Sequence, residues 1–378
     1  MATPTGDSKH RKISTRLEIE IASGKYGPGS RLPSEIQLVK QFEVSRPTVA
    51  RALRDLETKG LIERRAGSGT YIKTTSGPRS NATQVLGLLV PGLPNTEIFH
   101  IICGEIASLA RVHEYGLMWG GPTSPFQNVS AGLEHAEEIC QQFIERRVSG
   151  VFFAPAELHP GQEAANSRIA ESLREAGIAV VLIDRDLSAF PRRSDFDLVG
   201  IDNLAAGYTI ADHLIKLGCK KILFACRPLS AATVNARIAG VREALAQNRL
   251  ECDSNWVRQG DPKDLKFARS LVSGKLADAI ICANDDTAAM LIRTFESHGV
   301  RTPHDIRVVG FDDVKYAMLV SVPLTTIHQP CRDIAHVAFQ TMLRRLAEPT
   351  LPAQSISLTP NLVVRESCGA YLKSARKS

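Results

Sequence analysis

The feature that most constrains this chain is an alternation, from Val85 onward, of short apolar runs with amphipathic segments. Near-continuous Val, Ile and Leu runs between helices are typical of parallel sheets with helices on both faces. About 280 residues of this pattern exceed one sheet, so we predict two α/β lobes with a ligand cleft at the carboxyl ends of the strands. The predicted strands are 85–91, 116–120, 150–154, 179–184, 197–201, 221–226, 279–283, 307–311 and 324–328. The predicted helices are 99–114, 134–147, 163–176, 203–217, 234–248, 263–273, 285–298 and 331–347.

Residues 32–73 follow a different pattern: a short helix, a turn, a longer basic helix and a small hairpin with glycines at its tip. Ser34 is spaced from Gln37 as in a capping box, which predicts the start of the short helix. Ser45 caps the longer helix, and Pro47 occupies its first turn, where a missing N–H costs nothing. This layout predicts a winged helix-turn-helix, which places one helix in a DNA major groove.

The basic charge of the chain is confined to this N-terminal part. Residues 1–80 hold 15 Lys and Arg against 8 Asp and Glu, a net charge of +7, whereas the rest of the chain has a net charge of −1. A basic balance in one small domain is suited to neutralising phosphates, so it favours nucleic acid as a partner.

Composition and breaks in periodicity predict five segments. Residues 1–10 are predicted to be a disordered tail and 11–73 the winged-helix domain. Residues 74–84, rich in Ser, Thr, Asn, Pro and Gly, are predicted to be a linker. The two-lobed domain is predicted to run over 85–366, and 367–378 to form a second tail.

Several classes of protein do not fit the sequence. There is no apolar run of membrane-spanning length and no secretory signal, and the eight scattered cysteines form no CxxC pair, so a reducing cytoplasm is predicted. No metal-ligand spacing, phosphate loop or nucleophile with a base is present, which argues against an enzyme, a metal site and a cofactor. The run that begins at Gly67 lacks the third glycine and the following helix of a dinucleotide-binding motif.

Four motifs in register carry a resemblance to a known family. They are Pro28-Gly-x-x-Leu-Pro-Ser-Glu35, Val44-Ser-Arg-x-Thr-Val49, Leu56-x-x-x-Gly-Leu-Ile62 and Gly67-x-Gly-Thr-Tyr-Ile72. Residues 12–73 thereby closely resemble the DNA-binding domain of the GntR family of bacterial regulators. Two positions depart from it, because Ile36 and Ala50 stand where the family often has arginine. Arg51, one residue later, is rotated by about 100° on the helix, which puts the operator sequence rather than DNA binding in question.

The winged helix-turn-helix assigns candidate DNA contacts. Arg46, at the start of the recognition helix, is predicted to bridge guanine O6 and N7. Arg64 and Arg65, with the backbone amides of Gly67 and Gly69, suit a wing that contacts phosphate or the minor groove. The full set of candidates is Ser34, Glu35, Ser45, Arg46, Pro47, Thr48, Arg51, Arg65, Gly67 and Gly69.

A second resemblance covers residues 85–366. Its motifs are Leu182-Ile-Asp-Arg185, Asp202-Asn-x-x-Ala-Gly207, His213-Leu-x-x-Leu-Gly218, Ala236-Arg-x-x-Gly240, Ala283-Asn-Asp285, Val309-Gly-Phe-Asp-Asp313 and Leu324-Thr-Thr-Ile-His-Gln329. Together they resemble the effector domain of the LacI family, which is similar to periplasmic sugar-binding proteins. A GntR-type reader with a LacI-type sensor resembles the arabinose-repressor subfamily.

That resemblance implies an effector site at strand ends facing the cleft. The residues carried over are Asp184, Arg185, Arg237, Asn284, Asp312 and Gln329, and Trp256 or Phe99 is expected to stack on a sugar face. Alternatives remain open: Asp184, Asp285 and Asp313 as caps after their strands, and Arg185 paired with Asp184 or Asp186. Glu97 replaces an aromatic residue of the family and leaves the class of ligand open.

The resemblances imply a cytoplasmic repressor that binds a palindromic double-stranded DNA operator as a homodimer, with a sugar-like effector in the cleft. The main rival is a solute-binding protein without a role at DNA, and the basic N-terminal domain counts against it.

Overall fold

The computed structural model describes residues 9–22, 26, 29–58, 61–65, 68–72, 84–91, 97–120, 131–250, 254–275 and 277–372. The chain divides into two compact units, Met1–Ala82 and Thr83–Ser378, which are described in turn. Among the described residues, no helix has the length and apolar character needed to cross a membrane.

The first unit contains three helices followed by a hairpin. Leu17, Leu38, Val49, Leu53 and Leu56 are fully buried, so each helix contributes its apolar stripe to one core. The elements are α1 (Lys9–Ala22), α2 (Glu35–Phe42), α3 (Arg46–Thr58), β1 (Ile62–Arg65) and β2 (Gly69–Ile72). The winged helix-turn-helix predicted from the sequence is therefore confirmed.

Local signals fix where α2 begins and ends. The Ser34 backbone N–H donates to Gln37 Oε1 over 2.8 Å, and the Gln37 N–H donates to Ser34 Oγ over 3.3 Å, which completes the predicted capping box. Glu43 adopts a left-handed conformation (φ 51°) and ends the helix. The turn between α2 and α3 is therefore set by two short segments of sequence.

The segment before α2 pairs with the hairpin through backbone hydrogen bonds. β1 and β2 are antiparallel, with Arg65 opposite Gly69. The Leu32 N–H donates to the Thr70 carbonyl and the Ile72 N–H to the Ser30 carbonyl, each over 2.9 Å. These bonds tie the hairpin, called the wing below, to the start of α2.

The second unit contains two six-stranded sheets, each forming one lobe. In the N-lobe, the order is β4 (Gly116–Gly120), β3 (Val85–Leu89), β5 (Gly150–Phe153), β6 (Ala179–Ile183), β7 (Asp197–Ile201) and β13 (Ser355–Leu358). In the C-lobe, it is β9 (Val257–Gln259), β8 (Ile222–Cys226), β10 (Ala279–Cys282), β11 (Arg307–Asp312), β12 (Thr325–His328) and β14 (Asn361–Val363). All neighbouring strands are parallel except β14, which is antiparallel to β12.

Helices cover both sheets, as expected for buried parallel strands. The N-lobe helices are α4 (Glu97–Val112), α5 (Ala131–Glu145), α6 (Gln162–Glu175) and α11 (Cys331–Ala347). The C-lobe helices are α7 (Asn203–Lys216), α8 (Thr233–Gln247), α9 (Leu265–Val272) and α10 (Asp285–Glu296). The chain crosses between the lobes three times: after β7, after β12, and between β13 and β14.

Two glycines let α7 and α8 pack at backbone distance. A Cβ on Gly207 would lie 2.0 Å from the Arg237 carbonyl oxygen, and a Cβ on Gly240 would lie 1.9 Å from the Leu204 carbonyl oxygen. No side chain fits at either position. This close packing brings Arg237 to the carboxyl ends of the C-lobe strands β10 and β11.

The predicted strands and helices of this unit are confirmed, with ends that differ by a few residues. The short strands β9, β13 and β14 were not predicted. The predicted C-terminal tail is wrong for residues 367–372: Ser367 and Cys368 are fully buried, and Ser367 Oγ donates to the Val308 carbonyl over 2.5 Å.

At the N-terminus, the predicted tail is wrong for Lys9 and His10, which begin α1, and residues 1–8 lie outside the described residues. Residues 74–83 of the predicted linker also lie outside them. Gln84, assigned to the linker, belongs to the N-lobe, since its carbonyl accepts from the Gly116 N–H over 2.8 Å.

Candidate functional site: a reading face and an interlobe cleft

The start of α3 presents the hydroxyl groups of Ser45 and Thr48. The Ser45 carbonyl accepts from the Thr48 N–H over 3.0 Å and the Val49 N–H over 3.3 Å, so Ser45 caps the helix. Ser45 Oγ lies 2.8 Å from Thr48 Oγ1, and Pro47 is exposed in the first turn. Hydroxyls and amides at a helix N-terminus are suited to contact a phosphate.

Glu35 links the recognition helix to the wing. Arg46 Nε donates to Glu35 Oε2 over 3.1 Å, while Arg64 Nη2 lies 3.7 Å from Glu35 Oε1. The Arg46 side chain nevertheless remains 74% exposed. Glu35 thus holds one edge of the guanidinium and leaves the other edge open to a base or a phosphate. We call the exposed and half-buried side chains around this contact the reading face: Glu35, Ser45, Arg46, Thr48 and Arg64.

The other candidates for DNA contact lie outside the reading face. Arg51 is exposed on α3, and Ser34 uses its side chain to cap α2. Ile36 is 64% exposed at the start of α2. Arg65 pairs through its backbone with Gly69, where a Cβ would lie 2.6 Å from Arg31 Nε; the Arg65 side chain and Gly67 lie outside the described residues.

Six of the seven predicted effector residues converge at the strand ends of the second unit. Asp184 and Arg185 follow β6, Asp312 ends β11, and Gln329 follows β12. Arg237 on α8 and Asn284 at the start of α10 complete the set, and all six line one cavity of about 30 Å³. With Glu157, which lies beside them, five of these residues form what we call the cleft cluster: Glu157, Asp184, Arg185, Arg237, Asp312 and Gln329.

Trp256 is not brought to this cavity. Its side chain is buried in the core of the C-lobe, where its ring meets Phe224 edge-on with 6.4 Å between ring centroids. The prediction that Trp256 stacks on an effector is therefore corrected. Phe99, the other aromatic candidate, is also buried, and its ring lies 5.2 Å from the Arg185 guanidinium carbon.

Arg237 is the most heavily bonded member of the cluster. Its Nε donates to Asn203 Oδ1 over 2.8 Å, and its Nη1 donates to the Ala283 carbonyl over 2.5 Å. Nη2 lies 3.7 Å from Asp312 Oδ1, and the guanidinium covers the Phe311 ring at 4.5 Å. Buried charges need such partners, because an unpaired one loses its hydration without compensation.

Burial and the charge of Arg237 have opposite effects on the pKa of Asp312. Burial raises its pKa to about 7, although the Arg237 charge and the Gln329 hydrogen bond act to lower it, and the charges of Asp184 and Glu157 add to the rise. Gln329 Nε2 donates to Asp312 Oδ1 over 2.7 Å. Near neutral pH this carboxyl can therefore exist in either protonation state.

Arg185 lies between two carboxylates. Its Nη1 lies 2.7 Å from Glu157 Oε1, and its Nε lies 3.2 Å from Asp184 Oδ2. Burial by itself would raise the pKa of Glu157, but the charge and hydrogen bond of Arg185 and the Ala231 N–H lower it below its ordinary value. Asp186, the alternative partner for Arg185, instead accepts from the backbone N–H groups of residues 188 and 194.

Hydrogen bonds join the two lobes across the cleft. On one side, the Ala231 N–H donates to Glu157 Oε2 over 3.0 Å, and the Leu158 N–H donates to the Leu229 carbonyl over 2.7 Å. On the other side, the Lys315 N–H donates to Glu97 Oε2 over 2.9 Å. Because the cavity of the cleft cluster is far smaller than the 300–1,000 Å³ typical of ligand pockets, a sugar can enter it only if these bonds open.

Two further aspartates serve the structure of the C-lobe. Asp285 is fully buried; its Oδ1 accepts from Thr326 Oγ1 over 2.6 Å and its Oδ2 from the Val314 N–H over 3.2 Å. Asp313 accepts from Arg365 Nη2 over 2.5 Å and lies 2.9 Å from His328 Nδ1. Neither is a helix cap. Asn284 fills that role for α10, since its Oδ1 accepts from the Thr287 N–H over 2.9 Å.

Comparison with known proteins identifies both units. Residues 9–72 match the gntR family of bacterial regulatory proteins, and residues 211–368 match the periplasmic binding protein-like domain. The chain joins a GntR-type helix-turn-helix domain to a periplasmic-binding-protein-like domain. Both resemblances drawn from the sequence are confirmed.

Relatives and solved structures are similar to all or part of this chain. The arabinose metabolism transcriptional repressor of Geobacillus stearothermophilus is 26% identical over 368 residues, which cover 95% of this chain and 97% of that protein. The structure of the transcription regulator CcpA of Lactococcus lactis has a TM-score of 0.63 and 21% identity over 76% of this chain and 99% of that chain. A CelR–cellobiose complex has a TM-score of 0.62 and 22% identity over 86% of this chain and 91% of that chain. At these identities, the two structures establish the fold alone.

The periplasmic-binding-protein-like domain contains cleft residues that the sequence did not single out. Glu157 lies four residues beyond the end of β5, and Asn203 begins α7 at the first crossing between the lobes. Phe311 lies under the Arg237 guanidinium. The rule that ligands lie at the carboxyl ends of parallel strands predicts the neighbourhood of Glu157, although no motif marks the residue itself.

Proposed function

We propose that this protein is a sequence-specific transcriptional repressor whose affinity for its operator is set by a small molecule in the interlobe cleft. The observation that carries the proposal is that one chain holds both an exposed arginine-bearing recognition helix and a buried polar cluster at the strand ends of a two-lobed domain. The arabinose metabolism repressor, which aligns along almost the whole chain, supports it.

The first partner we propose is a palindromic double-stranded DNA operator. The basic charge of the first unit supports binding to phosphates, and the open edge of the Arg46 guanidinium is suited to guanine O6 and N7. The hydroxyls of Ser45 and Thr48 fix the register of the helix through phosphate oxygens.

The second partner we propose is a sugar or sugar derivative, so that the regulated genes serve carbohydrate uptake or use. Carboxylate, amide and guanidinium groups in the cleft cluster are suited to pairs of hydroxyl groups. The name of the arabinose metabolism repressor and the cellobiose complex of CelR support a carbohydrate.

We further propose that the protein acts in the cytoplasm as a homodimer. One winged helix reads only a half-site, so two-fold symmetry matches a palindrome. Three large apolar side chains on the second unit support a shared face: Ile101 is 47% exposed, Met318 62% and Leu319 79%. Ile101 on α4 and Met318 in the short helical turn after β11 line a surface groove of about 850 Å³, and Leu319 directly follows Met318.

Effector binding would alter the DNA affinity by changing the closure of the lobes. The effector must have different affinities for the closed and open forms, because a ligand with equal affinity shifts no equilibrium. The hydrogen bonds from Ala231 to Glu157 and from Leu158 to Leu229 belong to the closed form and are the contacts that such a ligand would replace or strengthen.

The test is a gel-shift titration of the purified full chain on fragments of its own promoter region. A palindromic fragment should be bound, and the affinity should fall by about 10³-fold or more between 50 and 200 mM salt if six or more phosphates are contacted. A scrambled fragment of equal length is the control. Binding that is indifferent to salt or to sequence contradicts the proposal.

A further inference from the structure

The cleft cluster contains hydrogen-bond acceptors that the protein leaves unpaired. Asp184 is 6% exposed and Gln329 1% exposed, and among the described residues neither Asp184 Oδ1 nor Gln329 Oε1 has a hydrogen-bond partner. Both residues line the same cavity. A buried acceptor without a donor is costly, so each atom calls for a donor from water or from a ligand.

The two guanidinium groups of the cluster, on Arg185 and Arg237, already donate hydrogen bonds to protein atoms. Arg237 bonds to Asn203 and the Ala283 carbonyl and lies near Asp312. Arg185 bonds to Glu157 and Asp184. A ligand that accepts hydrogen bonds competes with these protein acceptors, whereas a ligand that donates finds two acceptors in place.

The charge balance favours the same kind of ligand. The cluster holds three carboxyl groups, on Glu157, Asp184 and Asp312, and two guanidinium groups. The third arginine of the cavity, Arg227, is paired with Asp286, whose Oδ2 lies 3.5 Å from Arg227 Nη1. When Asp312 is ionised, an added anion would worsen the imbalance and an added cation would correct it.

Asp184 also faces a larger space. It lines a second cavity of about 290 Å³, between the loop after β6 and the first turn of α8. The other carboxylates of that cavity are in use: Asp186 accepts backbone bonds from its own loop, and Asp202 caps α7 through the Ala205 N–H. Arg192 and Arg193 line the side of the cavity formed by the loop, and Arg193 lies 3.8 Å from Asp186. The volume approaches the lower end of about 300 Å³ found for ligand pockets.

We infer that the effector is a polyol that carries an amine, an amino sugar by class, whose ammonium group donates to Asp184 and whose hydroxyl donates to Gln329. This inference rests on the proposed function, because it specifies the ligand of the same cleft. An ammonium has three donors and no acceptor, and it forms charge-assisted bonds with carboxylates. Sugar acids and sugar phosphates are the classes that the cluster disfavours.

The experiment is a thermal-shift comparison of the full chain with matched trios at about 50 mM ligand, where even weak binding stabilises the fold. One trio is glucosamine, glucose and gluconate; others are built on galactose, mannose and arabinose, with sugar phosphates added. Ionic strength is held constant with sodium chloride, and ammonium chloride controls for the cation alone. We expect at least one amine to raise the melting temperature by a few degrees more than its parent sugar, and its acid to give no shift.

A ranking with the acid or phosphate first overturns the inference, and so does a panel in which no amino sugar gives a shift larger than its parent. Asp184→Asn should abolish the advantage of the amine over the parent sugar. The control is Asp305→Asn, because the Asp305 carboxylate pairs with Arg301 on the C-lobe surface. This variant should keep the advantage of the amine. The ranking for the unaltered chain decides the question even if Asp184→Asn fails to fold.

The outcome is separable from that of the proposed function. If the amine binds but the protein ignores its palindromic DNA, the repressor proposal fails and the assignment of the ligand stands. If the protein binds its operator and a sugar acid gives the largest shift, the ligand class is wrong and the repressor proposal stands.

Discussion

Arg46 on the reading face and Arg237 in the cleft cluster show two ways of using one residue type. Arg46 is 74% exposed and forms an ion pair with Glu35. Arg237 is 4% exposed and is held by Asn203, the Ala283 carbonyl, Asp312 and the Phe311 ring. The exposed guanidinium is available to a partner, while the buried one has become part of the fold. Substituting the first should therefore affect binding, and substituting the second should also affect stability.

The largest effect is expected for Arg237→Ala. Removing one member of a buried ionic cluster leaves Asp312 without its guanidinium and should lower the free energy of unfolding by about 3–5 kcal/mol. Urea denaturation followed by circular dichroism measures it. Arg227→Ala is a matched control, because the Arg227 side chain is 36% exposed. Equal stability of the Arg237 and Arg227 variants would contradict the contrast between buried and exposed arginines.

The next effect concerns pH. Burial raises the pKa of Asp312 to about 7 in the folded chain, from an ordinary value of 3.8. Between these values the folded chain binds more protons than the unfolded chain, so the free energy of unfolding should fall as pH rises, by on the order of 1 kcal/mol per pH unit. Asp312→Asn should remove that loss, which urea denaturation at pH 4.5 and at pH 7.5 can measure.

The pKa of Asp305 is shifted in the opposite direction to that of Asp312, so Asp305 serves as a comparison. It is exposed, and hydrogen bonds from Arg301 lower its pKa to about 2. Its contribution to stability is therefore present above about pH 4 and is lost as pH falls through its folded pKa. An Asp305→Asn variant that reproduces the pH response of Asp312→Asn would show that the loss of stability does not originate in the cleft.

On the reading face, Arg46→Ala should weaken binding to the palindromic operator by about 1–3 kcal/mol, roughly 5- to 150-fold, with little change in melting temperature. Fluorescence anisotropy and differential scanning fluorimetry measure the two quantities. Arg16→Ala, which alters an arginine of α1 that is 68% exposed, is the matched control for charge. Loss of folded structure in the Arg46 variant would assign that residue to the fold instead.

The smallest effect is expected for Glu35→Gln. Exposed ion pairs contribute about 0–1 kcal/mol, so stability should hardly change. Because the substitution removes a negative charge, binding to random DNA should strengthen slightly. Discrimination between the operator and a scrambled site should fall, since Arg46 loses the group that orients it. Improved discrimination would show that Glu35 does not position Arg46.

Much of this fold could be predicted from the sequence, because buried parallel strands are uniform apolar runs. The three missed strands lack that signal. β13 reads Ser-Ile-Ser-Leu and alternates between exposed and half-buried residues, as suits an edge, while β9 and β14 have only three residues each. The C-terminal segment was missed because Ser367 is held by hydrogen bonds rather than by apolar contacts.

The candidate site could be predicted where strand ends fix it. Asp184, Asp312 and Gln329, which the family resemblance implied, each lie at or directly after the end of an apolar strand. Trp256 was misplaced because an aromatic residue is equally suited to a core and to a sugar face, and only the packing against Phe224 decides. Glu157 lies in a loop, where its direction depends on the opposite lobe.

The three crossings between the lobes have a consequence for the genetics of this chain. β13 forms one edge of the N-lobe sheet and β14 one edge of the C-lobe sheet, and both come from the last 24 residues of the sequence, 355–378. A premature stop codon before Ser355 would therefore remove one edge strand from each of the two sheets. Neither lobe can be exchanged between relatives as one contiguous gene segment, whereas the first unit is contiguous in the sequence.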